Sequence, residues 1–130
     1  DQCQGVDSDA ARHLLDALLQ NPTARVEAGP QRQIHHLQGL LYASEQQPAL
    51  ALWHFQIAQQ VFPDVESGLV QVAVLAQHQF WIEALQHLQV VRNLLNKNTT
   101  RQLGKLDYLA EIEHLEQLIT QEQRNSKTNP

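Results

Sequence analysis

Seven histidines, one cysteine and fourteen carboxylates are the groups in this 130-residue chain with the chemistry to bind or catalyse. Two imidazoles grip a metal from one helix when they stand three or four residues apart, as in an H-E-x-x-H pair. No two histidines here have that spacing. His35 and His36 adjoin, so on a helix they would diverge by about 100°. Glu83 and His87 are four apart, but an ordinary charged pair on a helix face accounts for them. His13, His54 and His87 occupy one slot in three similar segments. They could line one outer face, and the copying of an ancestral repeat accounts for them equally well. Cys3, alone, makes no internal disulfide and is a free thiol or an intermolecular link. The five glycines, at 5, 29, 39, 68 and 104, are isolated, so no phosphate-cradling loop is written, and no Gly-x-Ser-x-Gly elbow occurs. Glu111, Glu113 and Glu116 read as the wet face of a helix rather than an acid–base pair. The expectation is a protein with no catalytic residue, no metal site and no cofactor.

Composition narrows the partners. A formal net charge of −5 and no basic run argue against nucleic acid, because phosphate binding wants clustered Lys and Arg. Mean hydropathy is −0.40, and no apolar run approaches the ~18–20 residues of a membrane span. The length suits a single domain, 1–130, able to bury a core without disulfides. The chain opens on Asp1 rather than Met, which is expected of a trimmed or processed start; cytoplasm and periplasm both stay open.

Any surface must be positioned by helices. Breakers fall at Asn21-Pro22, Gly29-Pro30, Gln47-Pro48, Phe62-Pro63-Asp64 and Asn96-Lys97-Asn98-Thr99-Thr100, and between them apolar residues recur at three and four. Six helices are predicted. The first runs from Ser8 to about Gln20, burying Leu14, Leu15, Ala17, Leu18 and Leu19. The second and third open on Pro30 and Pro48, favourable first helical positions. Asp64 caps the fourth, which runs to about His78. The fifth covers about Phe80 to Leu95. The sixth follows the capping-box pattern Thr99-x-x-Gln102 and ends near Gln123.

Three segments repeat one sentence: AARHLLDALLQNP (10–22), ALWHFQIAQQVFP (51–63) and ALQHLQVVRNLLN (84–96). Ala10, Leu14, Ala17 and Pro22 have the spacing of Ala51, Phe55, Ala58 and Pro63, and Ala84, Leu88 and Val91 keep most of it. A helix type that recurs, preceded by another helix, predicts stacked helical hairpins. Gly39 and Ala51 would sit where two helices cross, with Tyr42 and Phe55 filling the space beside them, Ala58 one turn on, and Pro63 ending the helix.

With Gly39, Tyr42, Ala51, Phe55, Ala58 and Pro63 at its spacings, the chain resembles the tetratricopeptide repeat family, in a bacterial form. His35 and Gln38 replace that family's Trp and Leu. The resemblance implies an all-α right-handed solenoid of antiparallel hairpins: a half repeat at 8–22, the best repeat at 32–65, a divergent repeat at 66–97 whose turn is one residue shorter (with Leu69, Ala73 and Ala76), and a C-terminal capping helix at 100–124. It further implies a concave face that receives a peptide or helix of a partner. Carried over by position, that face comprises Gln33, His36, Leu40, Ala43, Ser44, Val70, Val74, Gln77 and His78. No Lys or Arg clamp for a C-terminal carboxylate is present there, which departs from the family's chaperone-binding branch. Trp53, Phe80 and Trp81 are interface anchors or helix-end packing. The functional expectation is a non-catalytic protein-interaction module in a bacterial envelope-associated assembly. The alternative is a structural piece that self-associates, as a homodimer, through its last helix or groove.

Overall fold

In a computed structural model, residues 8–25, 27–97 and 105–128 are described. They form α1 (Ser8–Leu19), a 3-10 turn (Pro22–Arg25), α2 (Ala28–Ser44), α3 (Pro48–Val61), α4 (Val65–Gln77), α5 (Trp81–Lys97) and α6 (Lys105–Thr128). Among the described residues the protein is all-α, with no strand. The predicted elements are thus present, and the 3-10 turn is an addition. Asn21 makes it: its Oδ1 accepts from the Thr23 backbone N–H at 3.1 Å and from the Thr23 hydroxyl at 2.9 Å, the local bonding that short polar side chains favour. The expected capping box at Thr99 and Gln102 lies outside the described residues, as does Cys3. The chain divides into two compact units, Asp1–Pro63 and Asp64–Pro130.

In the first unit, α1 packs on α2, and α2 on α3. Pro30 is the third residue of α2 rather than its first, still inside the opening turn whose N–H groups have no helical partner. Pro48 does open α3. Between α2 and α3 lie Ala43, Ala51, Phe55 and Ala58, all fully buried. Gly39 makes the approach possible. A Cβ added there would stand 3.0 Å from Phe55 Cζ and closer still to Cε1 and Cδ1. The ring therefore lies against bare backbone. At the end of α3, Phe62 bonds back to Ala58 O at 3.1 Å and then turns extended, as a residue before proline prefers.

The other side of α2 meets α1 through a cluster of Ala11, Leu15, Ile34, Leu37 and Leu41, with Leu18 and Leu40 partly buried against it. This corrects the expected stripe of α1. Leu14, Ala17 and Leu19 are exposed. The slots held by Ala10, Leu14 and Ala17 are buried in α3 and α5, where a helix lies across them, but α1 rests on α2 with the neighbouring positions Ala11 and Leu15.

In the second unit, α4 packs on α5 and α5 on α6. Asp64 caps α4 as expected: its carboxylate accepts from Ser67 N–H at 3.1 Å, a bond whose loss typically costs about 1 kcal/mol. The interior is built from Leu69, Val72 and Leu75 of α4, Ala84, Leu88, Val91 and Leu95 of α5, and Ile112 and Ile119 of α6. Arg92 of α5 donates to Glu116 of α6 at 2.7 Å. Burial first, then the neighbouring Glu66, push the Tyr108 pKa up.

Both hairpins turn in three residues, 45–47 and 78–80. The shorter second turn expected from the sequence is therefore not found. Each is closed by a glutamine in the left-handed region, Gln46 at φ 61° and Gln79 at φ 65°. Each donates its N–H to the last turn of the helix, to Ala43 O at 3.1 Å and Ala76 O at 2.9 Å.

Two outcomes test the α2–α3 crossing. Phe55→Ala should cost about 3–5 kcal/mol in urea or guanidinium unfolding, the range for a buried aromatic; a loss below about 1 kcal/mol would contradict the packing. Gly39→Leu should lower the Tm through overpacking, although leucine is the better helix former by roughly 0.6–0.8 kcal/mol. An unchanged or raised Tm would show that the ring does not need the gap.

Candidate functional site

The expected docking residues fall into two groups, one in each unit. On α2, Gln33, His36, Leu40 and Ser44 follow one another at three and four residues and share a helix face; all four are half-buried. His36 tilts against Phe55, with ring centroids 5.8 Å apart. Its burial, then the nearby Arg32 charge, hold its pKa below the ordinary value. Leu40 is partly committed to the α1–α2 cluster, and the Ser44 hydroxyl donates to Leu41 O at 2.7 Å. The Arg32 guanidinium stands 5.2 Å over the Phe62 ring. On α4, Val70 is 51% exposed and Gln77 is exposed. His78 stands just past the helix end, its ring 5.7 Å from that of Phe80.

Two members of the expected face are corrected. Ala43 is 0% exposed and Val74 is 6% exposed, so neither offers a side chain to a partner within its unit. Ala43 lies in the α2–α3 interior. For Val74 the cause is register. The two turns have equal length, so the one-residue offset assumed for the second repeat is absent, and one residue rotates a helix face by about 100°.

Histidine chemistry lies inside the hairpins rather than on an outer face. His13 is exposed, but His54 is buried and His87 is 0% exposed. His87 Nε2 is 2.6 Å from Gln71 Oε1 across the α4–α5 interface, which places the proton on Nε2 as donor. Across the α2–α3 interface, His54 meets His35: their Nδ1 atoms are 3.1 Å apart. Burial lowers both pKa values, with the His35 charge a second cause at His54, so the hydrogen bond joins neutral rings, one protonated on Nδ1 and the other accepting there. The Tyr42 ring lies nearly parallel to His54, with centroids 5.3 Å apart at 12°. Trp53 meets His54 edge-on at 4.9 Å while remaining 53% exposed. Among the described residues no group of three His, Cys, Asp or Glu converges as a metal site, and His87 turns its Nε2 to Gln71.

Sequence reasoning missed the His35–His54 and Gln71–His87 pairs. A signal was present, since both His54 and His87 occupy the repeated slot. What the slot faces is set by the preceding helix, and spacing alone does not supply the rotation of one helix against the other.

The Gln71–His87 bond has a measurable consequence. Gln71→Leu should cost about 1–3 kcal/mol in chemical unfolding by leaving the buried imidazole N–H without its acceptor. Gln71→Leu combined with His87→Leu should cost less than the sum of the single changes, because both polar partners leave together. Strict additivity would show that the bond does not couple them.

Compared with known proteins, the chain matches no family model, no curated protein and no solved structure.

Proposed function

We propose that this chain is a tetratricopeptide-like, non-catalytic protein-interaction module. The first helix of each hairpin, α2 and α4, offers a strip of amide and apolar side chains to a peptide or helix of a partner. One observation carries the reading. Gln33, His36, Leu40 and Ser44 share one face of α2 and each remains half-open, with His36 and Leu40 only partly covered by Phe55 and the α1–α2 cluster. On α4 the accessible material is Val70, an apolar side chain half in water, together with Gln77. Amides bond to a partner's backbone, and Leu40 and Val70 supply apolar area. A bacterial envelope-associated assembly is the setting that the resemblance suggests.

A second reading, a structural piece that self-associates through α6, is favoured by Leu118. It is exposed beside the buried Ile119, so the apolar surface of α6 is wider than the stripe packed in its unit.

Photo-cross-linking separates the two. A benzophenone side chain placed at position 40 or 70 should give discrete cross-links to a heterologous protein in the cell of origin. The same group at the exposed Gln60 or Gln86 should not. Val70→Glu should abolish the cross-link from a benzophenone at position 77 of the same helix without altering the circular dichroism spectrum, because Val70 is not part of the core. Equal labelling from positions 60 and 86, or partners retained by Val70→Glu, would place recognition elsewhere. Cross-links from position 118 to a second copy, with a dimer in light scattering that Leu118→Glu dissociates, would establish the second reading instead.

A further inference from the structure

The two imidazoles between α2 and α3 have a geometry that their ring contact alone conceals. The centroids of His35 and His54 are 5.3 Å apart and the planes differ by 27°. The Nδ1 atoms are 3.1 Å apart. The difference between the two distances is about the breadth of one imidazole ring. Each Nδ1 must therefore lie close to the line joining the centroids. The rings are not face to face. They meet end to end, nitrogen toward nitrogen, with both in-plane orbitals directed along one line.

Neutral imidazole nitrogens aimed at one point are transition-metal ligands. The arrangement also selects among metals. A tetrahedral ion such as Zn²⁺ needs donors converging from about 109°, and a structural site needs four of them. Donors facing each other along a line instead supply opposite corners of a square-planar or tetragonal ion, the geometry of Cu²⁺. With metal–nitrogen distances of about 2.0 Å, an ion between the rings requires the nitrogens to stand about 4 Å apart, roughly 1 Å more than in the hydrogen-bonded pair. His35 is only half-buried, and rotation of its side chain provides that movement. The ring that donates in the hydrogen bond shifts its proton from Nδ1 to Nε2, so both Nδ1 lone pairs become free and no proton need leave the protein. Tyr42, parallel to His54, and Trp53, edge-on to it, limit how the second ring can turn. Solvent reaches the pair at the half-buried His35, so water would fill the remaining corners.

We propose that His35 and His54 form a two-imidazole site in the first hairpin for a divalent copper-type ion, bound trans through the two Nδ1 atoms and completed by water.

Trp53 makes the site observable, since a paramagnetic ion at His54 quenches its emission. The test uses the full chain carrying Cys3→Ser, which removes a competing thiol, and Trp81→Phe, which leaves Trp53 as the reporter. Titration with Cu²⁺ against a weak competing chelator such as glycine should quench Trp53 with one equivalent. Electron paramagnetic resonance should show a tetragonal ion with two imidazole nitrogens. His35→Gln should weaken this equivalent by about tenfold or more, whereas His36→Gln and His114→Gln should retain it. Zn²⁺ at equal concentration should not displace the copper. Quenching that survives His35→Gln overturns the site, as does equal weakening by all three variants or ready displacement by zinc. His35→Gln is the deciding variant because its side chain is half-buried; a circular dichroism melt verifies that it is folded. If it binds copper as the parent does, the pair is an interhelical hydrogen bond only.

Discussion

The first hairpin depends on an aromatic ring resting where a side chain is missing. Phe55 is fully buried, and its edge occupies the volume that any Cβ at position 39 would need. Glycine inside a helix costs about 1 kcal/mol relative to alanine. Burying a phenylalanine returns more than that, about 1.5–3 kcal/mol of transfer free energy alone. The close approach also places Ala43, Ala51 and Ala58 out of solvent, and only small side chains can occupy those positions. It brings the α2 and α3 backbones near enough for short polar side chains to reach one another. The imidazole pair follows from this one contact.

The polar interior is the second constraint. A buried amide or imidazole costs several kcal/mol when left without a partner and little when bonded. The second helix of each hairpin carries one histidine in the same slot, and each is met by a side chain of the first helix, His35 for His54 and Gln71 for His87. Apolar contacts between helices tolerate small rotations. A hydrogen bond between two side chains does not, because it fails steeply with distance and angle. Each pair therefore selects one rotation of the first helix against the second. The conserved element between the hairpins is the histidine; the partner differs, and so does the chemistry available. Two imidazoles end to end can accept an ion. An imidazole bonded to an amide and sealed from solvent offers no second nitrogen donor to an ion.

The turns reach the same solution by a route that residue type does not advertise. Left-handed backbone normally calls for Gly or Asn, and a side chain there costs roughly 1–2 kcal/mol. Both hairpins nevertheless use glutamine, Gln46 and Gln79. The strain is offset by backbone bonds that recover carbonyls at the end of the preceding helix, including Gln47 N–H to Tyr42 O at 3.0 Å and Phe80 N–H to Leu75 O at 2.9 Å. Because the following helices must begin at Pro48 and Trp81, the turn has no room for a longer path.

By itself the sequence determined the helices and most of their boundaries, although α2 opens two residues before Pro30 and α6 runs on to Thr128, past the expected end near Gln123. Proline, Asp64 and the three-to-four apolar spacing act locally, through backbone donors and side-chain direction, and need no knowledge of the rest of the chain. It determined the Gly39–Phe55 contact as well, since a small residue and a large one at matching places in two adjacent helices leave few ways to pack. Only the tertiary structure decided which face of each helix is covered. Ala10, Leu14 and Ala17 have the same spacing as Ala51, Phe55 and Ala58, yet the first set is exposed and the second buried, because burial belongs to the helix lying opposite and not to the residue. For the same reason Val74 entered the interior while Val70 stayed in water, and three like histidines met three different surroundings. Spacing specifies a direction around one axis; the rotation between two axes is set by the packing of both helices at once.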